Sequence, residues 1–367
     1  MSISNTGTFA NAKDNTPSSN TGTFANAQGR PPSSNTGTPY NTPSSNTGTP
    51  YNTPSSHIIN ASSITREQLQ SYVYSARFLK NSRSLSRSYP HKTLITMFYE
   101  PSTRTNCSFQ AAAHRLGCKV IALTDKASSS EKGETLEDTI RTLGFYGDAI
   151  VLRHPDKGSS ERAANISSVP IINGGDGNGE HPTQALLDIL TIYEEMLESR
   201  NILSPIERNL PPLVITFVGD LKNSRTIHSL IRLLTLCYNI RFIYVSPPSL
   251  EMPQDIVNYV ATNRIEQQKM TSIEDAIRET DVLYMTRLQR ERFETMEAYH
   301  AIMQNSAAYK LTTELMGTAK EKMIVMHPLP RLDEIPPEID QDRRAVYFKQ
   351  VQNGLYMRMA ILDKILQ

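Results

Sequence analysis

The sequence predicts an α/β protein: two doubly wound parallel-sheet domains behind a disordered low-complexity tail. Three observations carry this. Strand-length apolar runs alternate with helix-spaced segments in two blocks, Ser63–Leu197 and Leu213–Leu366. Such alternation implies parallel sheets with both faces covered. A polar, proline-bearing stretch, Glu198–Pro212, separates the blocks. Of residues 1–56, 37 are Ser, Thr, Asn or Pro, and Lys13, Asp14 and Arg30 alone are charged.

The tail comes first. Ser33–Pro43 reads SSNTGTPYNTP and Ser44–Pro54 repeats it letter for letter. A looser copy, SNTGTFANA, occurs at Ser4–Ala12 and again at Ser19–Ala27. An 11-residue period can build a right-handed coiled coil, but only with apolar seam positions. Here the period carries Pro, Gly and Asn, which cannot bury enough apolar area to offset the entropy of ordering. The segment reads as disordered, either a repeat without function or a modified regulatory tail.

From Ser63 the texture changes. Thr65 followed by Gln68 is a possible capping box, and Leu69, Tyr72, Val73, Ala76 and Leu79 follow at helical spacing. Lys92–Phe98 is a short apolar run and reads as a buried strand. A helix then carries Phe109, Ala112, Ala113 and Leu116. Strand Lys119–Leu123, helix Thr135–Tyr146, strand Ala149–Arg153, a helix near Glu161–Ile166, strand Val169–Ile172 and helix Thr183–Leu197 complete the first block. The second block reads as strand Leu213–Val218, helix Thr226–Tyr238, strand Arg241–Val245, helices near Asp255–Thr262 and Ile273–Glu279, strand Val282–Met285, strand Met323–Met326 and a last helix, about Gly354–Leu366.

Parallel sheets bind ligands beyond the carboxyl ends of their strands, so polar residues there matter most. The first strand runs into Glu100-Pro101-Ser102-Thr103-Arg104-Thr105, where a helix begins. Free N–H groups, three hydroxyls and an arginine suit a phosphate or oxyanion; the plainer reading is an ordinary Ser/Thr cap. Arg153, Arg225 and Arg287 also fall at element ends, with Gln289 close behind. Each alone reads as a surface charge. Four cations at strand mouths describe a pocket for phosphate plus carboxylates. Ser128 and Lys132 sit in a polar loop, Ala127–Glu134. The Gly-rich Asn173–Gly179 fits neither the P-loop nor the dinucleotide pattern. It precedes His181 and Gln184. A histidine at a helix start is disfavoured as a cation and is a candidate neutral donor, or simply a cap. His327-Pro328-Leu329-Pro330 follows the late strand. Two prolines lock that backbone and leave carbonyls able to hold an –NH₂ group; alternatively it is only a rigid loop.

Composition narrows the function. Residues 57–367 carry 36 Lys+Arg against 36 Asp+Glu. That neutrality argues against a nucleic-acid surface or a polybasic membrane patch. No apolar run approaches a membrane span, and no secretory signal is legible at the N-terminus. Cys107, Cys118 and Cys237 are an odd set that cannot make a four-cysteine zinc site and that suits a reducing compartment. Cytoplasmic residence is the expectation.

FYEPSTRT, KGETLEDT, VLRHP, GDGNGEHPTQALLD, VGDLKNSRTIHSL, YMTRLQRERF and MHPLPR occur in the order found in aspartate carbamoyltransferases. The chain resembles that family over about Leu94–Leu366. Its second half is most similar to the animal and fungal form, which often ends a multifunctional pyrimidine-synthesis polypeptide; here the domain reads as standing alone behind the tail. The resemblance implies a carbamoyl-phosphate-binding domain over 57–198, completed by the C-terminal helix 350–367, and an aspartate-binding domain over 199–349. It implies transfer of the carbamoyl group of carbamoyl phosphate to L-aspartate, with no metal or cofactor. Ser102, Thr103, Arg104 and Thr105 with Arg153 would hold the phosphate. Thr105, Arg153 and His181 would address the carbamoyl oxygen. Gln184 and the Pro328 and Leu329 carbonyls, before Pro330, would take the –NH₂. Arg225, Arg287 and Gln289 would bind the aspartate carboxylates. Ser128 and Lys132 match a loop that enters a neighbour's site, which implies a homotrimer. Ornithine carbamoyltransferase is the nearest alternative, but it resembles HCLP where this chain has HPLP. Arg287 would also repel a cationic substrate. A non-catalytic regulatory paralogue would be expected to have lost site residues. A cis bond is expected at Leu329–Pro330.

Overall fold

The computed structural model describes residues 57–82, 87–124, 133–197, 199–205, 210–290, 293, 295–304 and 306–367. The tail 1–56 and the loop residues Ser128 and Lys132 lie outside the described residues. All described residues fall within one compact unit, Thr49–Gln367.

Strands β1 (Thr93–Phe98), β2 (Lys119–Thr124), β3 (Ala149–His154) and β4 (Ile171–Asp176) pair in the order β2-β1-β3-β4, all parallel. They alternate with α1 (Arg66–Asn81), α2 (Thr103–Arg115), α3 (Leu136–Leu143), α4 (Ser159–Ile166) and α5 (Pro182–Met196). Side chains on a strand alternate faces, and on β1 both faces are buried. Leu94 and Phe98 join the cluster built with α1, α2 and α5. Ile95 and Met97 pack instead with Leu136, Ile140 and Ala163 of α3 and α4. The continuous apolar strands in the sequence follow from this two-sided burial. Thr65 caps α1 in a full capping box with Gln68, and Leu69, Tyr72, Val73, Ala76 and Leu79 are its buried stripe.

The second sheet holds β5 (Leu213–Val218), β6 (Ile240–Val245), β7 (Glu266–Met270), β8 (Val282–Met285) and β9 (Ile324–Met326), in the order β7-β6-β5-β8-β9. It too is wholly parallel. Its helices are α6 (Arg225–Leu234), α7 (Gln254–Thr262), α8 (Ile273–Ala276), α9 (Met296–Gln304) and α10 (Thr313–Thr318). The last helix, α11 (Tyr347–Ile365), returns to pack on α1, α2 and α5. One apolar cluster therefore continues from the first sheet through α5, α6 and α11 into the second. The described part of the linker is anchored: Ile202 and Leu203 are fully buried. The Tyr238 N–H donates to the Ile202 carbonyl at 2.9 Å, and Gln70 Nε2 to that of Leu203 at 2.6 Å.

Several elements depart from the sequence reading. β4 runs on through Asn173-Gly174-Gly175 to Asp176, so half of the expected glycine loop is strand. β7 is an edge strand written EQQKM; with no face to bury it lacks the apolar run by which strands are recognised. α9 and α10 went unread. α6 and α8 end earlier than their apolar spacing suggested, and α11 begins at Tyr347 rather than near Gly354. Among the described residues no helix is long and apolar enough to cross a membrane.

Each sheet reverses its strand order once, between β1 and β3 and between β5 and β8. Such switch points open a crevice beyond the carboxyl ends of the strands. The segments leaving these four strands, together with those leaving β4 and β9, build the site.

Candidate active site

One cleft of about 540 Å³ lies at these strand ends, lined by Ser102, Thr103, Arg104, Thr105, Arg153, His181, Gln184, Arg225, Arg287, Gln289, Pro328, Leu329 and Pro330. Every site residue expected from the sequence is thus brought together, except Ser128 and Lys132, which lie outside the described residues. Glu100, Asn223, Ser224, Thr226, Thr286 and His327 also line it.

Helix starts supply donors. α2, α5 and α6 begin at the cleft, with Ser102, His181 and Ser224 at their N-caps and no side-chain cap on any of them. Away from the cleft, Thr65, Thr135, Ser272 and Thr312 cap α1, α3, α8 and α10 in the ordinary way. Gly158 and Pro253, before α4 and α7, have no capping oxygen to give. The plainer reading of Ser102 therefore fails: its hydroxyl is withheld from its own helix. Residues of three helix starts line one volume, and helix N-termini favour anions.

Arginines surround that volume. Arg153 Nη1 donates to the Gly174 carbonyl at 3.1 Å, and Nη2 stands 3.2 Å from Glu100 Oε2. Arg225 donates to the Gly177 carbonyl and lies 3.7 Å from the same Glu100 oxygen. The glycine segment thus aims two guanidinium groups with its carbonyls; it does not cradle a phosphate with its N–H groups. Gly175 has φ +115°, and a Cβ there would stand 2.8 Å from Arg153 Nη1 and 3.1 Å from Arg225 Nη2. Only glycine allows that approach. Burial, then the like charge of Arg225, lowers the Arg153 pKa to about 10, with Glu100 opposing, so it stays charged at neutral pH. Arg104 is exposed at the start of α2.

His181 is buried, 4% exposed. Its Nε2 is 3.4 Å from Thr105 Oγ1, and its Nδ1 has no hydrogen-bond partner. Burial, reinforced by Arg225, Arg153 and Arg358, drives its pKa well below the ordinary value. The imidazole is neutral at physiological pH and can give one N–H without adding charge. Its backbone N–H donates to Ser229 Oγ at 3.0 Å, and the Ser229 hydroxyl donates to Glu180. That chain joins α5 to α6.

The candidate amide acceptors line the same cleft. Gln184 Nε2 donates to Asp188 Oδ1 at 2.9 Å. The loop leaving β9 is held by His327, whose N–H donates to Gln350 Oε1 at 3.0 Å. His327 Nδ1 accepts the Leu329 N–H at 2.8 Å, so the ring proton sits on Nε2, 2.8 Å from Glu334 Oε1. Leu329 has φ +55°, and the Leu329–Pro330 bond is cis, as expected. Left-handed backbone at a leucine costs about 1 kcal/mol and is found where surroundings impose it. Among the described residues no three His, Cys, Asp or Glu side chains gather as a metal site.

Glu100, Asp188 and Gln350 were missed by sequence reasoning. Glu100 carried a signal, a carboxylate placed just before a cationic strand exit. The other two work through partners distant in the chain.

Two parallel sheets meeting at their switch points, with uncapped helix starts and converging arginines, define an enzyme-like anion cleft. The chain belongs to the aspartate/ornithine carbamoyltransferase family: residues 56–194 match its carbamoyl-phosphate-binding domain and residues 212–365 its Asp/Orn-binding domain. It is 46% identical over 313 residues to the multifunctional protein CAD of Squalus acanthias, covering 84% of this chain but 13% of that one. To the aspartate carbamoyltransferase catalytic subunit of Clostridium novyi it is 43% identical over 312 residues, covering 84% and 97%. The chain thus spans about an eighth of the multifunctional relative and nearly the whole of the bacterial subunit. Among solved structures it is similar to aspartate transcarbamoylase from Trypanosoma cruzi, solved with carbamoyl phosphate and aspartate. The TM-score is 0.75 at 38% identity, over 85% of this chain and 95% of that one.

Proposed function

We propose that this cleft transfers the carbamoyl group of carbamoyl phosphate to L-aspartate, giving N-carbamoyl-L-aspartate and phosphate, a step of pyrimidine biosynthesis. The observation that carries the reading is what gathers in one cleft: four arginines, three helix starts, the amide and carbonyl acceptors of Gln184, Pro328 and Leu329, and a neutral imidazole.

Ser102, Thr103, Arg104, Thr105 and Arg153 hold the phosphate. Thr105, Arg153 and His181 address the carbamoyl oxygen. Gln184 and the Pro328 and Leu329 carbonyls, set by Pro330, receive the –NH₂. Arg225, Arg287 and Gln289 take the aspartate carboxylates. The neutral amine attacks the carbamoyl carbon, and negative charge gathers on its oxygen. Fixed donors there are each worth about 3 kcal/mol of barrier. The C–N bond forms, the C–O bond to phosphate breaks with its electrons leaving on phosphate, and the amine proton passes to a phosphate oxygen. Arg104, Thr105, Arg153 and His181 are the catalytic set. Holding both reactants in one cleft supplies much of the remaining acceleration.

The carbamoyl-phosphate domain spans 57–198, completed by 350–367, and the aspartate domain 199–349. The working form is a cytoplasmic homotrimer in which Ser128 and Lys132 complete a neighbour's site. The test is turnover with carbamoyl phosphate and either L-aspartate or L-ornithine, read as carbamoylated product and phosphate. Product from aspartate alone supports the reading. Product from ornithine, or none from either, overturns it.

A further inference from the structure

We propose that Asp188 is the positioning residue that makes the cleft select a carbamoyl group over an acyl group of the same shape. It is fully buried in the second turn of α5 and lines no part of the cleft. Its carboxylate collects three donors from three elements. Oδ1 accepts from Gln184 Nε2 at 2.9 Å and from Gln350 Nε2 at 2.6 Å. Oδ2 accepts from the Tyr284 hydroxyl of β8 at 2.8 Å.

The consequence concerns the opposite pole of each amide. A carboxylate oxygen facing an amide draws in the –NH₂ and turns the carbonyl away. With Nε2 of Gln184 engaged, its Oε1 is the pole left for the cleft, and an oxygen there accepts from a ligand –NH₂. With Nε2 of Gln350 engaged, its Oε1 is left to accept the His327 N–H at 3.0 Å. That bond anchors the backbone immediately before Pro328 and Leu329. One buried carboxylate therefore orients both groups assigned to the carbamoyl –NH₂, the Gln184 side chain directly and the Pro328–Leu329 carbonyls through Gln350. Were Asp188 unable to accept, Gln184 could rotate and present its own –NH₂, and recognition would change sign. A cleft built to accept from –NH₂ rejects a ligand that offers –CH₃, because its acceptors are then left unpaired.

This inference rests on the carbamoyl-transfer reading, and its test separates the two. The probes are carbamoyl phosphate, acetyl phosphate (a methyl replaces the amine) and inorganic phosphate. KM is measured for the first at saturating aspartate, and competitive inhibition constants for the other two. Asp188→Asn keeps the shape but brings a donor into the cluster. It should raise the carbamoyl phosphate KM about tenfold or more while the two inhibition constants move less than about twofold. Gln350→Met removes the tether to His327 and one donor to Asp188 but keeps the bond from Gln184, so it should give a smaller loss with the same selectivity; it decides the matter if Asp188→Asn does not fold. Equal losses for all three probes, or none, overturn the proposal. An unsubstituted chain that turns over neither substrate pair defeats the functional reading instead, and this inference with it.

Discussion

The four arginines of the cleft differ in how much of the fold depends on them. Arg153 and Arg225 are tied to Glu100 and to glycine carbonyls, so removing either leaves Glu100 with one guanidinium partner and a carbonyl without its donor. Arg104 is exposed at a helix start. Arg104→Ala should therefore lower kcat/KM by about 10²-fold or more while moving stability by no more than about 0.5 kcal/mol; paired kinetics and thermal melting check it. The buried titratable groups give a pH prediction. His181 has a depressed folded pKa, so the unfolded chain takes its proton first. Its contribution is intact above the unfolded value, near 6.5, and is lost as pH falls below that. Asp188 is opposite: burial raises it to about 7, so its contribution is full below about pH 4 and lost as pH rises through about 7. Urea midpoints between pH 4 and 8 should accordingly show a shallower acid-side fall in His181→Gln and a shallower alkaline-side fall in Asp188→Asn. The cations were legible in the sequence because each stands at a strand end. Asp188, which orients the amides, was not, since its meaning lies in partners such as Gln350, 162 positions away.

At the scale of elements, legibility followed apolar runs, including that of the largely exposed β2. β1, β3, β5 and β8 are buried along most of their length and read as unbroken apolar runs. β7 satisfies only its hydrogen bonds to β6, and its polar sequence reads as loop. The expected glycine loop was half wrong for a related reason. Asn173–Asp176 pairs as strand beside β3, with a register shift between Leu152 and His154, and its glycines serve approach by side chains and not a turn. Gly175→Ala tests this. The new methyl would meet both guanidinium groups, so turnover should fall at least about tenfold while stability drops by about 1–2 kcal/mol, the cost of a strained φ. Normal turnover in that variant would mean that the arginines are not held in place by Gly174–Gly177.

For the whole molecule the decisive question is whether one chain holds a complete site. β2 lies at the outer edge of the first sheet, and Ile121 on it is 39% exposed. The segment carrying Ser128 and Lys132 follows that edge strand in the sequence. If Lys132 serves a neighbour's cleft, the interface is heterologous and closes into a ring. Each site then takes its loop from one chain and its pocket from another. Two inactive variants, Lys132→Ala and Arg104→Ala, carry lesions on opposite sides of such a site. Alone, neither can build an intact one. In a ring reassembled from equal amounts, an interface is intact when its loop comes from an Arg104→Ala chain and its pocket from a Lys132→Ala chain. Random assortment makes about one interface in four intact, since each half is drawn independently. About a quarter of unsubstituted activity per site should reappear when the two are dissociated and reassembled together, and none when either is reassembled alone. The electrostatics favour the arrangement. A lysine arriving from a second chain adds positive charge beside phosphate and carboxylate ligands, where attraction across a few ångström outweighs its repulsion from Arg104, Arg153, Arg225 and Arg287 only once the anions are bound. Reassembled mixtures that stay as inactive as their parents, with trimer mass confirmed, would mean that each chain builds its own site.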